Sequence, residues 1–187
     1  MMTRVAAVLA MMVAVAHADR PAPGPLNPHP HAGFGGGLAL GAARERGRDA
    51  GWVARLDYEL LPALAEPGRF GGAFGFEPSL QIWRAGGDWG VGLPIAIALG
   101  VRAPHVRVEA LIGVEVISIE QVDDDTGVGL YQPLAGLTAM VEIAGWHAGV
   151  DGRVTRRWQI GAPDHTQWTG TFFVGRTWET PLTEPVR

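Results

Sequence analysis

Few side chains in this sequence could carry chemistry. Serine occurs at Ser79 and Ser118 only, and cysteine is absent. A serine hydrolase needs a base within hydrogen-bond reach of its nucleophile. Ser79 lies between Glu77 and Gln81 with no histidine nearby in sequence, and His147 is followed by Ala148 and Gly149, so no His-x-Ser pair forms. His29-x-His31 supplies two imidazoles, whereas structural metal sites take four ligands. Asp123-Asp124-Asp125-Thr126-Gly127 is contiguous, whereas a calcium loop spaces its ligands at alternate positions. Both segments read as solvated. The expectation is no catalytic residue, no metal and no cofactor.

The remaining candidates are charges. Glu59, Glu77, Glu109, Glu115 and Glu142 could supply a general acid–base pair. Arg55, Arg107, Arg153 and Arg157 fall at comparable positions of their own segments. A buried charge must be paired, so the expectation is a salt-bridge network rather than an acid–base site.

The elements that position these charges are strands. In Trp89–Val101, WGVGLPIAIALGV, the odd positions are Trp, Val, Leu, Ile, Ile, Leu and Val, and the even ones are Gly, Gly, Pro, Ala, Ala and Gly. A period of two is a β-strand. Seven further segments alternate in the same way: Gly33–Ala43, Gly51–Leu60, Gly72–Trp83, Val106–Ile117, Gly129–Ile143, Trp146–Trp158 and Trp168–Trp178. Their spacing suits antiparallel strands joined by turns. Leu60–Ala65 reads as a short helical turn. Pro78, Pro94 and Pro133 fall inside strands and each predicts a local bulge, because proline cannot donate to the ladder.

One face of these strands is apolar. The other mixes glycine and alanine with Arg55, Asp57, Glu59, Glu77, Arg107, Glu109, Glu115, Glu142, Asp151, Arg153 and Arg157. Three features place the apolar face outside, against lipid. The tryptophans, Trp52, Trp83, Trp89, Trp146, Trp158, Trp168 and Trp178, all fall at strand ends, as in the interfacial girdle of an outer-membrane barrel. Small residues and paired charges suit the narrow interior of an eight-stranded barrel. The apolar face is nearly free of charge, and its exceptions, Arg156 and Arg176, lie within two residues of a tryptophan, from where they reach headgroups.

Composition sets outer bounds. The chain has 187 residues, 27 glycines, a net charge of −4 and arginine as its only strong base. The charge argues against a nucleic-acid partner. No apolar run is long enough for a membrane-spanning helix, so a membrane protein of this composition must be a barrel. Residues 1–18 read as a signal peptide: Arg4, the apolar Val5–Val15, then Ala16-His17-Ala18 as cleavage site. Residues 19–32 are a Pro-rich tether, 33–178 the barrel, and 179–187 a tail.

By pattern, over about Ala32–Trp178, the chain resembles the small outer-membrane barrels of the OmpA/OmpX type. Those families end on an aromatic residue, whereas here Glu179–Arg187 follows Trp178. The resemblance implies an all-β fold, an eight-stranded antiparallel up-and-down transmembrane barrel, in a Gram-negative outer membrane. The expected function is a structural or surface-interaction role with a side-chain-plugged lumen. The chain would be a monomer in contact with lipid bilayer and lipopolysaccharide. Segments Arg44–Ala50, Ser118–Val128 and Gln159–Gln167 would be exposed loops. The alternatives are a lipid A or phospholipid hydrolase in the same barrel, and a periplasmic lipocalin-like binder of a hydrophobic ligand.

Overall fold

The computed structural model describes residues 31–45, 49–65, 67–122, 125–160 and 162–182. The expected signal peptide, most of the tether, His29, Asp123 and Asp124 lie outside them. The described chain forms strands β1 (His31–Glu45), β2 (Gly51–Leu64), β3 (Gly71–Ala85), β4 (Asp88–Ala103), β5 (Val106–Val122), β6 (Asp125–Ile143), β7 (Trp146–Gln159) and β8 (Ala162–Pro181). Each is hydrogen-bonded antiparallel to its sequence neighbours, and β8 pairs with β1, closing an eight-stranded barrel. Closure removes both sheet edges.

Period-two alternation becomes inside against outside. Leu93, Ile95, Ile97 and Leu99 of β4 are exposed on the outer face, while Gly92, Ala96 and Ala98 are buried. Ile112 and Leu137 are 65% and 66% exposed, whereas Arg107, Glu109 and Glu115 are 0% exposed. The fold is thus turned inside out relative to a soluble barrel, with its charges in the middle. That is the opposite of a lipocalin-like cup, whose interior would be apolar. Small apolar clusters separate the interior charges, among them Ala96, Ala98, Leu111 and Leu134, and Ala39, Met140 and Phe173.

The turns are tight at both ends. Gly86 (φ 59°) and Gly87 (φ 103°) join β3 to β4, and Ala144 (φ 51°) and Gly145 (φ 80°) join β6 to β7. Both central residues left-handed is the hairpin turn whose twist matches the strands. The end carrying the β1–β2, β3–β4, β5–β6 and β7–β8 connections is the loop end; the other, the terminal end, carries the start of β1 and the end of β8.

The strands are longer than their alternation suggested, and bulges are the reason. A bulge shifts the period-two phase by one residue. Between Gly92↔Ser118 and Pro94↔Glu115, β5 carries one residue more than β4. Glu115 and Ser118 therefore both face inward, and β5 continues to Val122 instead of ending at Ile117. In β2 the register shifts between Leu60 and Ala63, and Leu61 and Leu64 both point inward. The expected helical turn at Leu60–Ala65 is thus mostly strand. In β6, Leu130 and Tyr131 are both exposed, Tyr131 has φ 51°, and the phase again changes before Gln132. Continuous pairing of β6 with β7 stops at Leu134↔Thr155, next to Pro133. Pro78 behaves differently: it stays paired with Ile95 of β4, and β2 leaves a gap in pairing opposite it. Consequently Ser118–Val128 and Gln159–Gln167 are largely strand, not loop.

Candidate functional site

The interior residues come from every strand, because each presents alternate positions to the axis. Their ion pairs are layered. Toward the termini, Arg102 of β4 holds Glu179 of β8 through two hydrogen bonds of 2.9 and 2.7 Å, reaches Glu142 at 2.7 Å and donates to the Ala65 carbonyl. His31 lies 3.7 Å from Glu179. Directly above, Arg107 contacts Glu59 at 2.9 Å, Glu142 at 3.1 Å and Glu109 at 3.5 Å. Thr177 donates to Glu59.

At mid-height, Asp151 is shared by Arg55 at 2.7 Å and Arg153 at 2.6 Å. Arg55 also pairs with Asp57 at 2.5 Å, Arg153 with Glu77 at 3.1 Å, and Thr171 donates to Asp151. Toward the loop end, Arg157 bridges Glu115 at 2.7 Å and Glu120 at 2.5 Å, donates to Gln132 and Gln167, and lies 4.0 Å over the Trp83 ring. Gln81 donates to Glu115 at 2.9 Å.

A cavity of about 20 Å³ remains among Asp57, Glu77, Thr138, His147 and Arg153. That is room for about one water. Glu109 is the least satisfied carboxylate: neither oxygen accepts a hydrogen bond, and Arg107 is its ionic partner.

Each of Arg55, Asp57, Glu59, Glu77, Arg107, Glu109, Glu115, Glu142, Asp151, Arg153 and Arg157 therefore points inward with an oppositely charged neighbour. Sequence reading missed Arg102, Glu120 and Glu179, which share these pairs. Glu120 lies beyond the β5 bulge. Glu179 was assigned to the tail, although alternation continues past Trp178 and β8 runs to Pro181.

The tryptophans divide. Trp52, Trp89, Trp158 and Trp168 are exposed on the outer face toward the loop end, and Trp146 and Trp178 toward the termini. Trp83 corrects the expectation: it is 1% exposed and points inward, next to Ala43 and Val53. Its place in β3 has the parity of Glu77, Ser79 and Gln81, so the alternation contained this signal. Gly90, opposite it, leaves the space its ring occupies. Arg176 lies 5.4 and 5.2 Å from the Trp146 and Trp178 ring centroids, and Trp178 stacks on Phe34. At the β6–β7 gap, Trp158 donates to the Leu130 carbonyl and Gln132 to the Trp158 carbonyl, replacing lost ladder bonds.

Neither serine reaches the outer face. Ser79 and Ser118 are both buried inside, and His147 hydrogen-bonds to Thr177 rather than to a serine. Among the described residues, no group of three or more His, Cys, Asp or Glu is arranged to hold a metal.

No protein-family model and no curated protein sequence matches the chain. Solved structures do. The outer membrane enzyme PagL aligns with a TM-score of 0.53 at 12% identity, covering 76% of this chain and 98% of that one. Neisserial surface protein A aligns with a TM-score of 0.51 at 8% identity, covering 78% and 96%. At such identities the likeness is one of fold. A closed eight-stranded antiparallel barrel, apolar outside and ionic within, gives this chain the fold of the small outer-membrane barrels of the OmpA/OmpX type.

Proposed function

We propose that this protein is a non-enzymatic outer-membrane barrel of a Gram-negative bacterium, exported through a cleaved signal peptide. Its interior is sealed by salt bridges and its loop end faces outward for a structural or surface-interaction role. The observation that carries the reading is the pairing of opposite polarities: an exterior whose mid-strand residues are apolar around an axis crossed by Arg107, Arg55, Arg153 and Arg157, each ion-paired to at least two carboxylates. The exterior suits hydrocarbon. Lipid and lipopolysaccharide are its surroundings, and monomers suffice because closure leaves no edge to pair.

The lipid-hydrolase alternative loses its support because the serines face the axis, away from lipid. An enzyme attacking bilayer lipid needs its nucleophile on the lipid side.

Planar-bilayer recording tests the sealed interior. The refolded protein should show no steady open channel, whereas the Arg55→Ala, Arg153→Ala double variant should leak ions. Steady nanosiemens-scale conductance from the wild type would refute the sealing.

A further inference from the structure

The outer face is charged unevenly. Near the terminal end its strands carry Arg176, held between Trp146 and Trp178, and the β2–β3 connection carries the exposed Arg69. Near the loop end it carries Arg44 of β1, Arg84 of β3 and Arg156 of β7, all exposed. Arg44 and Arg84 make no ion pair or side-chain hydrogen bond among the described residues, and Arg156 bonds to the Thr166 hydroxyl at 3.1 Å.

The register places these arginines at one height. Arg44, Trp168 and Val154 share a hydrogen-bonded row, and Arg156 is two residues nearer the loop end than Val154. Arg84, Trp52 and Ala42 share another row, two residues below Arg44. Each step across two strands therefore descends two residues. Two strand spacings are about 9.6 Å and two residues about 6.6 Å, which a strand tilt of about 35° makes level. Neighbouring arginines of the set stand about 12 Å apart by the same spacings. Tryptophans interleave them: Arg84 pairs directly with Trp52 and Trp89, and Arg44 with Trp168. On β5 and β6 the corresponding outer residues are uncharged, Ile119, Leu130 and Tyr131. The exposed Asp125 and Asp164 lie farther out, near the starts of β6 and β8.

A guanidinium beside an indole at a bilayer interface needs an anion there, and its fork matches phosphate oxygens. We infer that the β7–β8–β1–β2–β3 arc is a recognition surface for the phosphate groups of a phosphorylated glycolipid headgroup, gripped by Arg156, Arg44 and Arg84 at one interfacial level. This inference rests on the reading that the apolar exterior meets lipid.

The test uses full-length protein refolded in zwitterionic detergent and titrated with lipid A, a bisphosphorylated glycolipid, while thermal unfolding is followed. Stabilisation should half-saturate at a lipid A concentration raised about fivefold by each of R44Q, R84Q and R156Q, and on the order of a hundredfold by the triple variant. R176Q, dephosphorylated lipid A and inorganic phosphate are the controls. R176Q should retain wild-type affinity, and neither control ligand should stabilise. Heat-modifiable gel mobility establishes that each variant is folded, and the single variants carry the test if the triple variant is not. A folded triple variant within twofold of wild type, or an equal loss in R176Q, overturns the inference. Quenching of tryptophan by brominated lipid, read on the same proteins, separates the two levels. Quenching without phosphate preference removes this surface alone, and absence of quenching removes the membrane reading beneath it.

Discussion

Replacing Arg157 by methionine keeps most of the side-chain length and removes the charge. In the folded barrel that guanidinium meets Glu115, Glu120, Gln132, Gln167 and the Trp83 ring. Removing one partner of a buried pair costs about 3–5 kcal/mol, because the other charge is left dry. The carboxylate can escape by taking a proton. At pH 7 this costs about 1.4 kcal/mol for each of the roughly 2.7 pH units above an ordinary glutamate value, or about 3.7 kcal/mol. Loss of the contact with Trp83 adds about 1 kcal/mol. Arg157→Met should therefore destabilise the barrel by about 5 kcal/mol at pH 7 in reversible urea unfolding from lipid vesicles. Protonation satisfies the orphaned carboxylates, so the deficit should shrink as pH approaches 4. Adding Glu115→Gln and Glu120→Gln should recover most of it. A deficit under about 1 kcal/mol at pH 7, or no recovery in the triple variant, would refute the pairing argument.

Two further outcomes follow from the same interior. The Ser79 hydroxyl is buried without a protein partner and away from the cavity, so Ser79→Ala should be neutral or stabilising by about 1 kcal/mol in the same unfolding assay, since no hydrogen bond is lost. A Cβ on Gly90 would collide with the Trp83 ring. Gly90→Ala should therefore cost about 1–3 kcal/mol, the usual price of overpacking, and should red-shift Trp83 emission in a variant retaining only that tryptophan.

Much of this architecture was legible because a barrel wall obeys one rule, alternation, and the chain follows it in long runs. Trp52, Ala54, Leu56, Tyr58 and Leu60 opposite Val53, Arg55, Asp57 and Glu59 settled both the strand and its faces. The reading failed where the rule is interrupted. At Val116-Ile117 and Leu130-Tyr131 adjacent residues leave the alternating phase, so strands continuing past them looked like loops. Such bulges depend on the pairing partner, as at Gly92–Pro94 opposite Glu115–Ser118, and no single strand displays them. Trp83 was misplaced for another reason. Residue type outweighed parity, and a rim tryptophan was assigned to the lipid interface although its phase matched Gln81. Which arginine meets which carboxylate was beyond reach, because the pairs join strands distant in sequence, as Arg55 and Asp151 do.

Site-resolved fluorescence tests the orientation of the wall most directly. Single-tryptophan variants would be refolded into vesicles of lipids brominated along the acyl chain. Trp52, Trp89, Trp146, Trp158, Trp168 and Trp178 should be quenched most strongly by bromine near the headgroup, with Trp83 untouched at any depth. Strong quenching of Trp83 with protection of the other six would contradict the account, as would a chain that stays in the aqueous phase and is quenched at none.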